Sequence, residues 1–141
     1  IETGATTIGI NTRIDEGRTI SVPAEERHTR AALLSSMHVV DLVERFARQE
    51  GRRVLYVLSY RARNVAGHLQ GQPRFDREFV EFLRQRNLTV VDLLEAHAAD
   101  FAGSSLSPAD YVDLFYVGHY NPAGNFFTAR AIRNKVLCIQ A

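Results

Sequence analysis

The chain is 141 residues long, enough for one buried core and too short for two ordinary domains. With 17 basic and 16 acidic side chains and a formal charge of +1, it carries neither the basic footprint of a nucleic-acid binder nor the bias of an acidic disordered tail. Apolar residues make up 45% without any run approaching the roughly 20 needed to cross a bilayer, so composition implies a soluble globular class with no membrane insertion.

The sequence opens on Ile1, and its lone methionine, Met37, lies inside a helical pattern, which points to a processed or excised piece of a longer chain. Residues 6–22 alternate apolar and polar positions (Ile8, Ile10, Ile14, then Ile20 and Val22) around Asp15-Glu16-Gly17, the pattern of a β-hairpin or extended arm over residues 1–23. Pro23 suits a first helical turn, and Glu25 and Glu26 suit its positive end, so a helix is expected to start here. Leu33, Met37, Val40, Val43 and Ala47 give it one apolar stripe, and Gly51 is its expected stop.

Residues 53–60, "RVLYVLSY", are almost continuously apolar and rich in β-formers, as in a parallel strand covered on both faces. A loop with Gly67, Gly71 and Pro73 follows, then a second amphipathic helix on Phe75, Phe79, Phe82 and Leu83 that stops near Asn87. Residues 88–94, "LTVVDLL", read as a short buried strand turning into a helix. Helix, strand, helix, strand is the alternation of an α/β fold with a parallel sheet. Ser107-Pro108 starts a short helix through about Phe115, and Asn121-Pro122 starts the last one. The lone cysteine, Cys138, has no disulfide partner in the chain and is expected to pack in the core.

His119 precedes that last helix in a loop. Imidazole titrates near neutrality, so a histidine at the carboxyl-end rim of a parallel sheet can take a hydroxyl proton and return it to a leaving alkoxide. The alternative is a plain loop histidine beside a helix cap. Arg61 and Arg63 follow the strand and can meet an anionic group or simply face solvent. His28, His38, His68 and His97 lack metal-ligand spacing, and no phosphate-cradling glycine loop follows residues 53–60, so neither a metal nor a nucleotide cofactor is expected.

The stretch "HYNPAGNFFTARAI" resembles the last block of the SGNH (GDSL-type) serine hydrolases, where the catalytic histidine opens a His-x-Asn-x-x-Gly pattern before a helix. The resemblance covers roughly residues 31–141. It implies a flavodoxin-like three-layer αβα fold with a short parallel sheet, here the C-terminal part of a larger hydrolase domain. It makes His119 the general base that activates a serine, acting on a small ester or acylated carbohydrate without a cofactor, or transferring an acyl group to a sugar. The family usually places the orienting carboxylate three residues earlier, where this chain has Tyr116; the nearest acid upstream is Asp113. The Gly-Asp-Ser block that brings the nucleophile is absent, and none of Ser21, Ser35, Ser36, Ser59, Ser104, Ser105 and Ser107 lies in such a motif. By the same resemblance Gly9 and Asn11 match an oxyanion-hole strand, while the hairpin reading explains them without function; Asn121 and, from its place after the strand, Arg61 are further candidate substrate contacts. The rival reading is a noncatalytic α/β binding or assembly domain. A sheet edge left open by missing strands implies a homodimer or association with an N-terminal half.

Overall fold

The computed structural model describes residues 24–140. The alternating stretch 6–22, including Gly9 and Asn11, lies outside the described residues. In chain order the elements are α1 (Ala24–Gln49), β1 (Tyr56–Leu58), α2 (Ala62–Leu69), α3 (Arg77–Gln85), β2 (Val90–Asp92), α4 (Leu93–Phe101), α5 (Pro108–Asp113), β3 (Tyr116–Val117), β4 (His119–Tyr120) and α6 (Pro122–Gln140). They are mostly helical and include a small two-stranded parallel sheet, compatible with a small α/β fold. The chain divides into two compact units: Ile1–Arg53 with Glu78–Arg84, and Val54–Arg77 with Gln85–Ala141.

In the first unit, α1 buries Val40 and Ala47 and half-buries Leu33 and Met37, the stripe expected from their spacing. It ends on Gly51 at φ 60°, where the Gly51 N–H donates to the Arg48 carbonyl and the Arg52 N–H to the Ala47 carbonyl. That paired closure needs a left-handed residue, which glycine adopts without steric cost. Within α3 the apolar face is Val80 and Leu83, both buried, with the half-buried rings of Phe79 and Phe82 stacked at 6.2 Å. The chain leaves this helix through Asn87 at φ 52°, the expected stop.

The second unit is built on β1 and β2, which run parallel with Tyr56 opposite Val90 and Leu58 opposite Asp92. Its core is Tyr60, Val65, Val91, Leu93, Leu94, Tyr111, Val112, Tyr116 and Phe127. The strand expected over 53–60 is thus three residues long, and Val57 at its centre is 38% exposed, so among the described residues that face of the sheet is only partly covered. The stretch read as loop forms α2, whose Val65 is fully buried. Gly67 inside it lets the Gln72 side chain fold close over the helix: a Cβ there would lie 2.6 Å from Oε1 of Gln72, whose exposed side chain would have to move aside. Phe75 precedes α3 instead of belonging to it, and lays its edge against the Tyr60 ring. Cys138, expected in the core, is exposed, together with Val136, Leu137 and Ile139 in the last turns of α6. None of the helices is both long and apolar enough to cross a membrane, among the described residues.

Candidate functional site

The segment from α5 to α6 is organised by local signals. Ser107 caps α5, its Oγ accepting from the Asp110 N–H at 3.2 Å and donating to the Asp110 carboxylate at 2.6 Å. After α5 the chain reverses through Gly118, at φ 74°, so that β3 and β4 pair antiparallel with Tyr116 opposite Tyr120 and Val117 opposite His119. Tyr116 is buried, and its hydroxyl donates to the carbonyl of Tyr60 at 3.1 Å, two residues beyond β1. The hairpin is thereby tied to the carboxyl end of the parallel sheet, where open α/β sheets place their ligands.

His119 is exposed on this hairpin. Its Nδ1 lies 2.9 Å from the carbonyl of Tyr120. A carbonyl only accepts, so Nδ1 carries a proton, and in the neutral imidazole Nε2 is then the nitrogen that can accept from another partner. Asn121 spans two backbones, its Nδ2 donating to Leu114 and its Oδ1 accepting from the Gly124 N–H, which caps α6. Gly124 is buried, and a Cβ at that position would overlap the Tyr120 ring and the Phe115 carbonyl. The Asn and Gly of the His-x-Asn-x-x-Gly pattern are therefore explained by how the hairpin meets the helix; the histidine is the member left with a free side.

Among the described residues, none of the candidates Asp113, Arg61 and Asn121 makes a side-chain hydrogen bond to the His119 imidazole. Asp113, exposed at the end of α5, makes no hydrogen bond or ion pair with the imidazole. Arg61 is exposed at the position preceding α2, and Ser59 is exposed just past β1. The described residues contain no group of three or more His, Cys, Asp or Glu side chains placed to hold a metal ion.

Two polar clusters escaped the sequence reading. His97 in α4 is fully buried, stacked on Phe127 with ring centroids 4.2 Å apart. Its Nδ1 lies 3.1 Å from the Tyr111 hydroxyl and its Nε2 3.0 Å from the Tyr120 hydroxyl. Tyr111 donates to Asp100 at 3.0 Å, so it accepts from Nδ1–H of His97, and Tyr120 donates to Nε2. Burial pushes the imidazole down to about 4, against the weaker pull of Asp100, and the same burial raises Tyr111. The spacing of Leu93, Leu94 and His97, i, i+1 and i+4 on one helical face, was the signal available for its burial.

The second cluster lies at the carboxyl ends of β1 and β2. Arg74 pairs with Asp76 at 2.8 Å, with Asp92 at 2.8 Å and with Glu95 at 3.3 Å, and it donates to the Tyr60 hydroxyl, which itself donates to Asp76 at 2.7 Å. Burial opposes ionisation of Asp76, but the hydrogen bonds from Arg74 and Tyr60 outweigh it and hold the carboxyl below its usual range. Asp92 also caps α4 through the Leu94 N–H. This cluster fixes the 70–76 loop against the sheet. A separate open groove of about 330 Å³ runs between α4 and α6, lined by Ala96, Asp100, Phe127, Arg130, Ala131 and Asn134, and does not include His119.

Compared with protein-family models, curated proteins and solved structures, the chain shows no significant match.

Proposed function

We propose that the chain is the base-bearing part of an SGNH-like acyl-ester hydrolase, acting on a small ester or acylated carbohydrate, with the serine nucleophile contributed by sequence outside these residues. The observation that carries the reading is the placement of His119: exposed, its Nδ1 proton held by the Tyr120 carbonyl, its Nε2 without a partner among the described residues. In that role Nε2 takes the serine proton as the oxygen attacks the ester carbonyl. The imidazolium then protonates the leaving alkoxide, and a second cycle with water, or with a sugar hydroxyl for acyl transfer, releases the acyl group. The Tyr120 carbonyl stands in for the orienting carboxylate, which leaves Asp113 without that task. Gly9 and Asn11 would supply oxyanion donors, and the two-stranded sheet with its helices would be one part of a flavodoxin-like three-layer sandwich.

The test is ester hydrolysis by a protein that carries the sequence encoded upstream of Ile1. His119→Ala is expected to lower kcat on p-nitrophenyl acetate by on the order of 10²–10⁴-fold, and Asp113→Asn to change it only a few-fold. Unchanged turnover in His119→Ala overturns the reading. The rival, a noncatalytic binding or assembly domain, is favoured by Tyr116, which fills the usual carboxylate position with a side chain committed to the Tyr60 carbonyl. In that case neither substitution alters any hydrolysis.

A further inference from the structure

Helix α1 carries a second apolar line, separate from the buried stripe through Val40 and Ala47. Ala32, Ser35, Val39, Leu42 and Phe46 recur at spacings of three, four, three and four, with Gln49 continuing the series, and Val39, Leu42 and Phe46 are 55%, 45% and 62% exposed. That 3.5-residue repeat is the spacing that keeps one seam facing a second helix along its whole length. Ser35, the polar member, already donates its hydroxyl to the Ala31 carbonyl at 2.9 Å, so it can be covered without leaving an orphan donor. From this seam and the charges beside it we infer that α1 pairs in parallel, in register, with α1 of a second copy of the chain.

Charge selects the occupant and the direction. With Ala32, Val39 and Phe46 as the first apolar positions of successive heptads, Arg45 precedes one such position and Glu50 falls five residues later, both exposed. In a parallel pair these two positions of opposite helices meet, giving Arg45 to Glu50 contacts on both sides of the seam. Antiparallel pairing would set each flank against the same flank of the partner, so that Arg45 no longer meets Glu50 and the complementarity is lost. The seam from Ala32 to Phe46 is only about 20 Å long, so the interface falls below the roughly 1,000 Å² of stable complexes and belongs with weak, concentration-dependent ones. The inference does not depend on any catalytic role for His119.

Sedimentation equilibrium of the chain from about 10 µM to 1 mM is expected to show reversible monomer–dimer exchange, with dissociation in the micromolar to submillimolar range. Phe46→Glu, at an exposed position, is expected to weaken it at least tenfold with an unchanged far-ultraviolet circular dichroism spectrum. Arg45→Glu weakens it as well, and combining that with Glu50→Arg restores it. Gln49→Cys at the end of the seam, in a Cys138→Ser background, forms an interchain disulfide on mild oxidation, as only parallel pairing allows. A monomer at 1 mM overturns the inference, as does a dimer indifferent to Phe46→Glu or one in which Gln49→Cys fails to cross-link. Dimerisation that appears only after residues 1–23 are deleted overturns it too, and assigns the seam to that segment of the same chain.

Discussion

The hydroxyl of Tyr120 lies 3.0 Å from Nε2 of the buried His97, while the carbonyl of the same tyrosine takes the Nδ1 proton of exposed His119 at 2.9 Å. One residue thus anchors a surface imidazole to a hydrogen-bonded core network. Tyr120→Phe keeps the carbonyl and the ring but removes the donor to His97. It is expected to cost about 1–3 kcal/mol in urea unfolding, while the chemical shifts of His119 change little. A fully preserved stability would show that the Tyr120–His97 contact contributes nothing.

His97 also sets an acid limit. The unfolded chain takes up a proton on this side chain near pH 6.5, whereas the fold resists protonation until about 4. A lowered histidine pKa means that stability is full above about 6.5, declines by up to about 1.4 kcal/mol per pH unit below it, and stops declining from this cause near 4. His97→Phe keeps the stack on Phe127 but removes Nε2, the acceptor of the Tyr120 hydroxyl. It should lose about 1–3 kcal/mol at neutral pH and with it the corresponding part of the slope. Urea midpoints between pH 8 and 4.5 check this, and identical slopes in both proteins would sink it.

Gly118 and Gly124 answer to different physics. At Gly118, φ is 74° and no atom lies within 4 Å of a built Cβ, so Gly118→Ala meets only backbone strain, about 1–2 kcal/mol. Gly124→Ala drives its methyl into the Tyr120 ring and the Phe115 carbonyl, and the backbone oxygen cannot rotate away. A cost of about 1–3 kcal/mol or more is expected, with broadened His119 resonances as the hairpin shifts. Thermal unfolding of the two variants ranks them, and a Gly124→Ala protein as stable as the parent would contradict the close approach.

What the sequence shows clearly is whatever is enforced within a few residues. Ser107 and Asn121 cap the helices assigned to them, and Gly51 and Asn87 stop theirs in left-handed conformations, because each signal acts on backbone groups three or four positions away. Helix α2 was hidden because its glycine reads as a loop signal until Gln72 is seen folding back over it. The apolar runs at 53–60 and at the end of α6 mislead in the opposite sense, since hydrophobicity alone does not say which residues become buried: Val57 and Cys138 stay exposed among the described residues. In the candidate site the placement of His119 just before the last helix was legible from its motif. The role of His97 is not legible, because its partners, Tyr111 and Tyr120, are 14 and 23 residues away and meet it only through tertiary packing.

The Arg74 cluster is a sharper case of the same kind, and it predicts the largest effect. Asp76 is 4% exposed, and it and Asp92 each lie 2.8 Å from the one guanidinium that also reaches Glu95. Substituting Arg74→Met preserves the apolar stem but leaves the poorly hydrated Asp76 and Asp92 carboxylates without their cation, for a loss of about 3–5 kcal/mol. Because Asp76 has a depressed pKa in the fold, it contributes stability above the unfolded value of about 3.9 and loses it as pH falls through its lower folded value. Without Arg74 the carboxyl is expected to titrate higher, so acid should stabilise Arg74→Met relative to the parent by relieving the unpaired charge. The double variant Arg74→Met with Asp76→Asn, which keeps a hydrogen-bond acceptor for Tyr60, should recover part of the loss at neutral pH. Denaturation curves at pH 4 and 7 for the three proteins measure both effects, and a double variant no more stable than Arg74→Met would mean that Asp76 is not the group Arg74 neutralises.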